Sequence, residues 1–182
     1  MTLPFLPAFA IVAAVVAGSS ALAAPKVGDS LPAAFAPVDA SGKARSVASL
    51  SGRNGMVLVL SRSAAWCAYC QAQMKELSAA TGPLAAKGYS LAVMTYDSPE
   101  VLGKFAAKQS ISYPLLSDTG SKAIAAMGLL DPRYPAGHMA AGVPLPTVLV
   151  LDKAGRVQAV DVSQDYRKRP SVEAIVAMAP AG

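Results

Sequence analysis

One segment narrows the folds open to this chain more than any other. Met56-Val57-Leu58-Val59-Leu60 is an unbroken apolar run, and Trp66-Cys67-Ala68-Tyr69-Cys70 follows it after five residues. A run apolar at every position reads as a strand covered on both faces, as in a parallel sheet. From Cys70 the period changes. Met74, Leu77 and Ala80 mark one helical face, while Gln71, Lys75 and Ser78 are polar. A strand, a short loop and a helix therefore surround the two cysteines. Cys67 stands at the helix start, where unpaired N–H groups and the helix dipole favour an anion such as a thiolate. Cys70 lies one turn on, on the same side, within the roughly 4.4–6.8 Å that a disulfide spans between Cα atoms.

These are the only two cysteines. In an oxidising compartment they can pair, but the loop they close is so short that the bridge adds little loop-closure entropy. The spacing at a helix start is that of a redox pair rather than an inert staple. Cys67 is expected to be exposed and to attack; Cys70, more buried, resolves the mixed disulfide. A zinc site needs four soft ligands, and the single histidine, His138, falls in a loop rich in Pro and Gly. It reads as a solvent-facing loop residue, so neither a metal nor another cofactor is expected. Trp66 is placed either to shield one side of the sulfur or to pack in the core. Arg62, five residues before Cys67, is placed either to stabilise a thiolate or to sit on the surface as a solvated cation.

The remaining punctuation outlines one domain. Lys26 to Leu50 is irregular, with a short hairpin. Tyr89 to Thr95 reads as a second buried strand, and Asp97-Ser98-Pro99-Glu100 starts a helix that runs to about Lys108. Pro114 to Asp118 is extended, Gly120 to Met127 a short helix, and Asp131 to Gly142 a loop. Thr147 to Leu151 and Arg156 to Val160 form a hairpin about Asp152-Lys153-Ala154-Gly155. A last helix runs from about Pro170 to Met178. Basic residues outnumber acidic ones 16 to 11 but are scattered, apart from Arg167-Lys168-Arg169, which reads as a solvated turn. No aromatic-plus-basic repeat points to nucleic acid as a partner.

The N-terminus differs in kind. Met1 to Ala24 carries no charged side chain; Ala8 to Ala17 is an apolar stretch, and Ala21-Leu22-Ala23 is a small-x-small cleavage pattern. Residues 1–23 are therefore expected to be a signal peptide and residues 24–182 the mature domain, periplasmic or secreted. The apolar run is short for a spanning helix of about 20 residues, so no stable membrane span is expected after cleavage.

Parallel strands joined by helices and closed by an antiparallel hairpin describe an α/β, thioredoxin-like fold: a central mixed β-sheet flanked by helices. The chain resembles the peroxiredoxin-like branch of the AhpC/TSA (redoxin) family in that superfamily. The resemblance rests on Lys26-Val27-Gly28-Asp29 with Pro32 and Phe35, and on the run from Arg62 through Trp66-Cys67-Ala68-Tyr69-Cys70 to Gln73. It also rests on Tyr113-Pro114-Leu115-Leu116-Ser117-Asp118, Pro144-Leu145-Pro146-Thr147 and Asp165 to Ser171. It implies an N-terminal redoxin extension, catalytic Cys67 and Cys70 able to form a disulfide, and a cis Leu145–Pro146 bond that offers a backbone edge to an extended substrate.

The departures shape the expected activity. Peroxide-reducing relatives carry Pro-x-x-x-(Thr/Ser)-x-x-Cys, where this chain has Leu60 and Ala64. The expectation is an extracytoplasmic thiol–disulfide oxidoreductase acting on a protein or small-molecule disulfide and reset by a thioredoxin-like partner. The alternatives are a thiol-dependent peroxidase with antioxidant activity and a non-enzymatic Cu(I) binder using both sulfurs.

Overall fold

A computed structural model describes residues 23–181. The expected signal peptide, all but Ala23, lies outside the described residues. Among the described residues no helix is long and apolar enough to cross a membrane.

The expected apolar strands pair at the centre of one sheet. Strand β1 is Val38–Asp39, β2 Gly55–Leu60, β3 Tyr89–Thr95, β4 Leu115–Ser117, β5 Thr147–Asp152 and β6 Val157–Val162. The spatial order is β1-β4-β3-β2-β5-β6. The pairs β2–β3 and β3–β4 are parallel; β1–β4, β2–β5 and β5–β6 are antiparallel. Pleating sends alternate side chains to opposite faces. Val57 and Val59 of β2 face one core with Met74, Leu77, Leu102, Phe105 and Ile175. Met56, Leu58 and Leu60 face a second core with Leu50, Ile124 and Leu129. A strand apolar on both sides is therefore what a three-layer arrangement requires.

Six helices cover the faces: α1 Val47–Leu50, α2 Ala68–Glu76, α3 Thr81–Ala86, α4 Pro99–Gln109, α5 Lys122–Ala126 and α6 Val172–Met178. Ser98 caps α4 with Pro99 behind it, as the sequence signal implied. The helix expected from Cys70 to Ala80 is α-helical only to Glu76; a 3-10 turn follows at Leu77–Ala80, and Thr81-Gly82-Pro83, the sequence's candidate interruption, instead forms the first turn of α3. The short helix α1 was not anticipated in the irregular N-terminal stretch. It is a single turn held by a reciprocal Ser46–Ser49 capping box. Gly55 opens β2 at φ +148, and a Cβ there would fall 1.9 Å from the Leu151 carbonyl oxygen. Only glycine lets β5 approach at that point.

Candidate active site

The sulfurs stand where β2 ends and α2 begins. Cys67 is the N-cap of α2, and its Sγ accepts the Cys70 N–H at 3.3 Å. The two cysteines are joined by a disulfide, with Cα atoms 5.1 Å apart. The loop between strand and helix is pinned by a residue that sequence reading took only for a helix start. Asp97, buried after β3, accepts from Ser63 Oγ at 2.8 Å, Ala64 N at 2.6 Å and Thr95 Oγ1 at 2.9 Å. Gln71 Nε2 ties α2 back to the Ala64 carbonyl at 2.8 Å. The position of Cys67 is thus fixed from both sides.

Cys70 is fully buried and Cys67 only 4% exposed. The second value corrects the expectation of an exposed Cys67. Bonded to Cys70, Cys67 is drawn into the cluster that holds Ala64 and Met74. Its remaining free surface forms part of the wall of an open cavity of about 400 Å3. Arg62, Trp66, Tyr69, Tyr134 and Tyr166 line the same cavity. The 131–142 loop also brings His138 and Met139 to it, which their distance from the cysteines in sequence concealed. His138 is exposed, as read, and its Nδ1 accepts from Ala140 N at 3.0 Å.

Trp66 is a wall of the cavity rather than a core residue: it is 39% exposed and its Nε1 donates to Tyr96 OH at 3.0 Å. Arg62 is not the surface cation that one reading of the sequence allowed: it is buried, it lines the cavity with Cys67, and its side chain packs among aromatic rings. Its guanidinium carbon lies 5.0, 5.0 and 4.3 Å from the ring centres of Trp66, Tyr134 and Tyr166. Nη2 donates to Tyr134 OH at 2.8 Å, while Nε is buried without a partner.

The cation that does touch sulfur was missed. Arg169 Nη2 donates to Cys70 Sγ at 3.3 Å, Nη1 to Gln73 Oε1 at 2.6 Å and Nε to the Tyr166 carbonyl at 2.9 Å. Burial, together with the Arg62 charge, lowers Arg169 to about 10, so it remains a cation at neutral pH. Sequence reading assigned Arg167-Lys168-Arg169 to a solvated turn. The one available signal was the resemblance of residues 165–171 to the redoxin C-terminal segment.

Pro146 also departs from expectation. Among the described residues no peptide bond is cis, so Leu145–Pro146 is trans. The segment is held extended by bonds on both flanks. Leu145 N donates to Leu129 O at 2.8 Å, and Ser163 N donates to Pro146 O at 2.8 Å. With those bonds made, the intrinsic trans preference of X–Pro is left unopposed. Pro146 borders a small crevice beside Gln73 and Arg169, not the cavity at Cys67.

The two positions that depart from the peroxide-reducing pattern are buried: Leu60 at 0% and Ala64 at 3% exposure. The nearest hydroxyl in sequence, Ser63 Oγ, is already donated to Asp97.

The AhpC/TSA family matches residues 27–160. A protein of Mycobacterium tuberculosis named as a peroxiredoxin is 30% identical over 130 residues, covering 71% of this chain and 80% of its own. The crystal structure of peroxidoxin BcpB from Mycobacterium tuberculosis aligns with a TM-score of 0.69 at 23% identity, covering 84% of this chain and 95% of that one. Thiol peroxidase from Chromobacterium violaceum aligns with a TM-score of 0.70 at 21% identity, covering 86% and 87%. At those identities the two structures speak for the fold: a mixed sheet with flanking helices of the thioredoxin-like kind.

Proposed function

The chain belongs to the AhpC/TSA family of the thioredoxin superfamily and is a thiol oxidoreductase of that family, and from this premise we propose that it exchanges thiols and disulfides through Cys67 and Cys70 outside the cytoplasm. The placement of the two sulfurs carries the reading. Cys67, at a helix start, borders the open cavity; Cys70 is sealed beneath it with the Arg169 cation on its sulfur. In the reduced protein the Cys67 thiolate attacks a substrate disulfide. That S–S bond breaks, one half leaves as a thiolate, and the other stays on Cys67 as a mixed disulfide. The Cys70 thiolate then attacks Cys67 Sγ, the second half leaves, and the Cys67–Cys70 bond closes. Two electrons pass to the substrate, and a thiol reductant restores the pair. The apolar stretch from Ala8 to Ala17 and the Ala21-Leu22-Ala23 pattern support export of residues 24–182.

A second reading, thiol peroxidase, is favoured by the names of the relatives. There the Cys67 thiolate would cleave the O–O bond and become a sulfenic acid, and Cys70 would condense with it and expel water. Leu60 and Ala64 argue against efficient peroxide reduction, because no side-chain hydroxyl at position 64 can hold the peroxide oxygen.

The two readings separate when reduced protein is mixed with hydrogen peroxide or with a small disulfide. Oxidation by peroxide is expected to be no faster than that of free cysteine. Oxidation by the disulfide should exceed the free-cysteine rate by about tenfold or more, because both the helix start and the cavity favour the attacking thiolate. Peroxide consumed orders of magnitude faster than by free cysteine would establish the peroxidase instead.

A further inference from the structure

Resting on the exchange reading, we propose that the cavity at Cys67 receives a small thiol bearing a carboxylate, which reduces the Cys67–Cys70 bond. The first observation is Arg62. It is 4% exposed, lines the cavity, and its only hydrogen bond among the described residues goes to the neutral phenol of Tyr134. Its Nε has no hydrogen-bond partner among the described residues. A buried guanidinium is normally matched to a carboxylate or phosphate. The nearby carboxylate cannot serve, because Asp131 is already taken by Arg133 through Nε at 2.8 Å and Nη2 at 2.6 Å. The rings around Arg62 hold the cation but leave it without an anion.

The second observation is the charge gathered on Tyr166. Arg62, Arg133 and Arg167 lie within 4.3, 5.9 and 5.1 Å of its ring centre, and Arg169 donates to its carbonyl. Against these four arginines stand Asp131 and Asp165, so the wall is cationic and draws anions in.

The third observation concerns size and edges. About 400 Å3 is of small-molecule scale. The backbone edge that the family resemblance assigned to an extended substrate is not open, because the Leu145 N–H and the Pro146 carbonyl are both engaged within the fold. Aromatic walls for the carbon skeleton and a cation for the carboxylate fit a small acidic thiol.

The step balances as follows. The external thiolate RS⁻ attacks Cys67 Sγ, and the Cys67–Cys70 bond breaks with its electron pair going to Cys70, beside Arg169. A second RS⁻ attacks the external sulfur of the mixed disulfide, and Cys67 leaves as a thiolate. Two RSH become RSSR, the protein gains two electrons, and the two protons are taken up by the cysteines or by solvent.

Three probes of similar size test this on the oxidised full chain: 3-mercaptopropionate, 2-mercaptoethanol and cysteamine. Rates are compared per thiolate, with intrinsic nucleophilicity corrected from the thiol pKa. The expected order is anionic, neutral, cationic, with about tenfold between the ends. In Arg62→Met that span should shrink to about threefold or less. Should the variant fail to fold, the native protein gives the answer. Butyrate, which has the carboxylate but no sulfur, should competitively slow 3-mercaptopropionate. Charge-blind rates, faster cysteamine, an undiminished span in a folded Arg62→Met, or no effect of butyrate would each overturn the proposal while leaving the exchange reading intact. Failure of all three thiols to open the bond would overturn both.

Discussion

A Cys67→Ser protein is expected to lose disulfide-reducing turnover, falling about a thousandfold or more below the native chain. Of the two cysteines only Cys67 has surface on the cavity, since Cys70 is fully buried. A serine hydroxyl at the same helix start is not ionised at neutral pH and forms no disulfide. The Cys70→Ser protein is expected to behave differently. It keeps the attacking thiolate and loses the group that resolves the mixed disulfide. Intact mass after incubation with a small disulfide should show one substrate half retained on Cys67, released only by added thiol. The native chain should show none. Sustained turnover by Cys70→Ser without an accumulated adduct would assign the resolving step elsewhere.

The second large effect lies at Asp97, two residues beyond the end of β3. Asp97→Ala removes one carboxylate that accepts from Ser63 Oγ, Ala64 N and Thr95 Oγ1. All three donors are buried, and hydrogen bonds to a charged acceptor contribute about 1.5–3 kcal/mol each but not additively. A loss of about 3–5 kcal/mol is expected, read from the urea midpoint. The loop thus loosened carries Arg62 and leads into Cys67. Exchange at Cys67 should therefore slow even well below the unfolding midpoint. Asp97→Asn keeps an acceptor but turns an amide N–H2 towards a donor, so its loss should be smaller and still measurable. An Asp97→Ala protein as stable as the native chain would show that the loop is held by the strand and helix alone.

The strands and the cysteine pair could be read from sequence because their signals are local. β2 is apolar at every position because both its faces are covered, and the change from strand to helix period falls at the cysteines. The cap at Ser98 is local as well. What escaped was set by contacts between distant segments. Arg169 reaches Cys70 Sγ across a separation of 99 residues, and its neighbours Arg167 and Lys168 gave the whole triplet the look of a solvated turn. Asp97 reaches back 33 residues to Ala64 N, while its own surroundings spelled only a helix start. Arg62 reads equally as a thiolate-stabilising or a surface cation until the 131–142 loop and Tyr166 are seen to close around it. Pro146 was assigned a cis bond by resemblance; pairing of its neighbours with Leu129 and Ser163 holds the segment extended instead. Those contacts have no local signature, whereas the cysteine pair itself is written in the chain.

The account stands most directly on whether the Cys67–Cys70 bond cycles. Trp66 is the only tryptophan and precedes Cys67, so its fluorescence can follow the bond through a titration in dithiol/disulfide redox buffers, with intact mass as a second readout. A single two-electron transition is predicted, with a potential between about −270 and −120 mV, the range of catalytic dithiols. A bond that stays closed below about −300 mV would be an inert structural disulfide and would contradict the account.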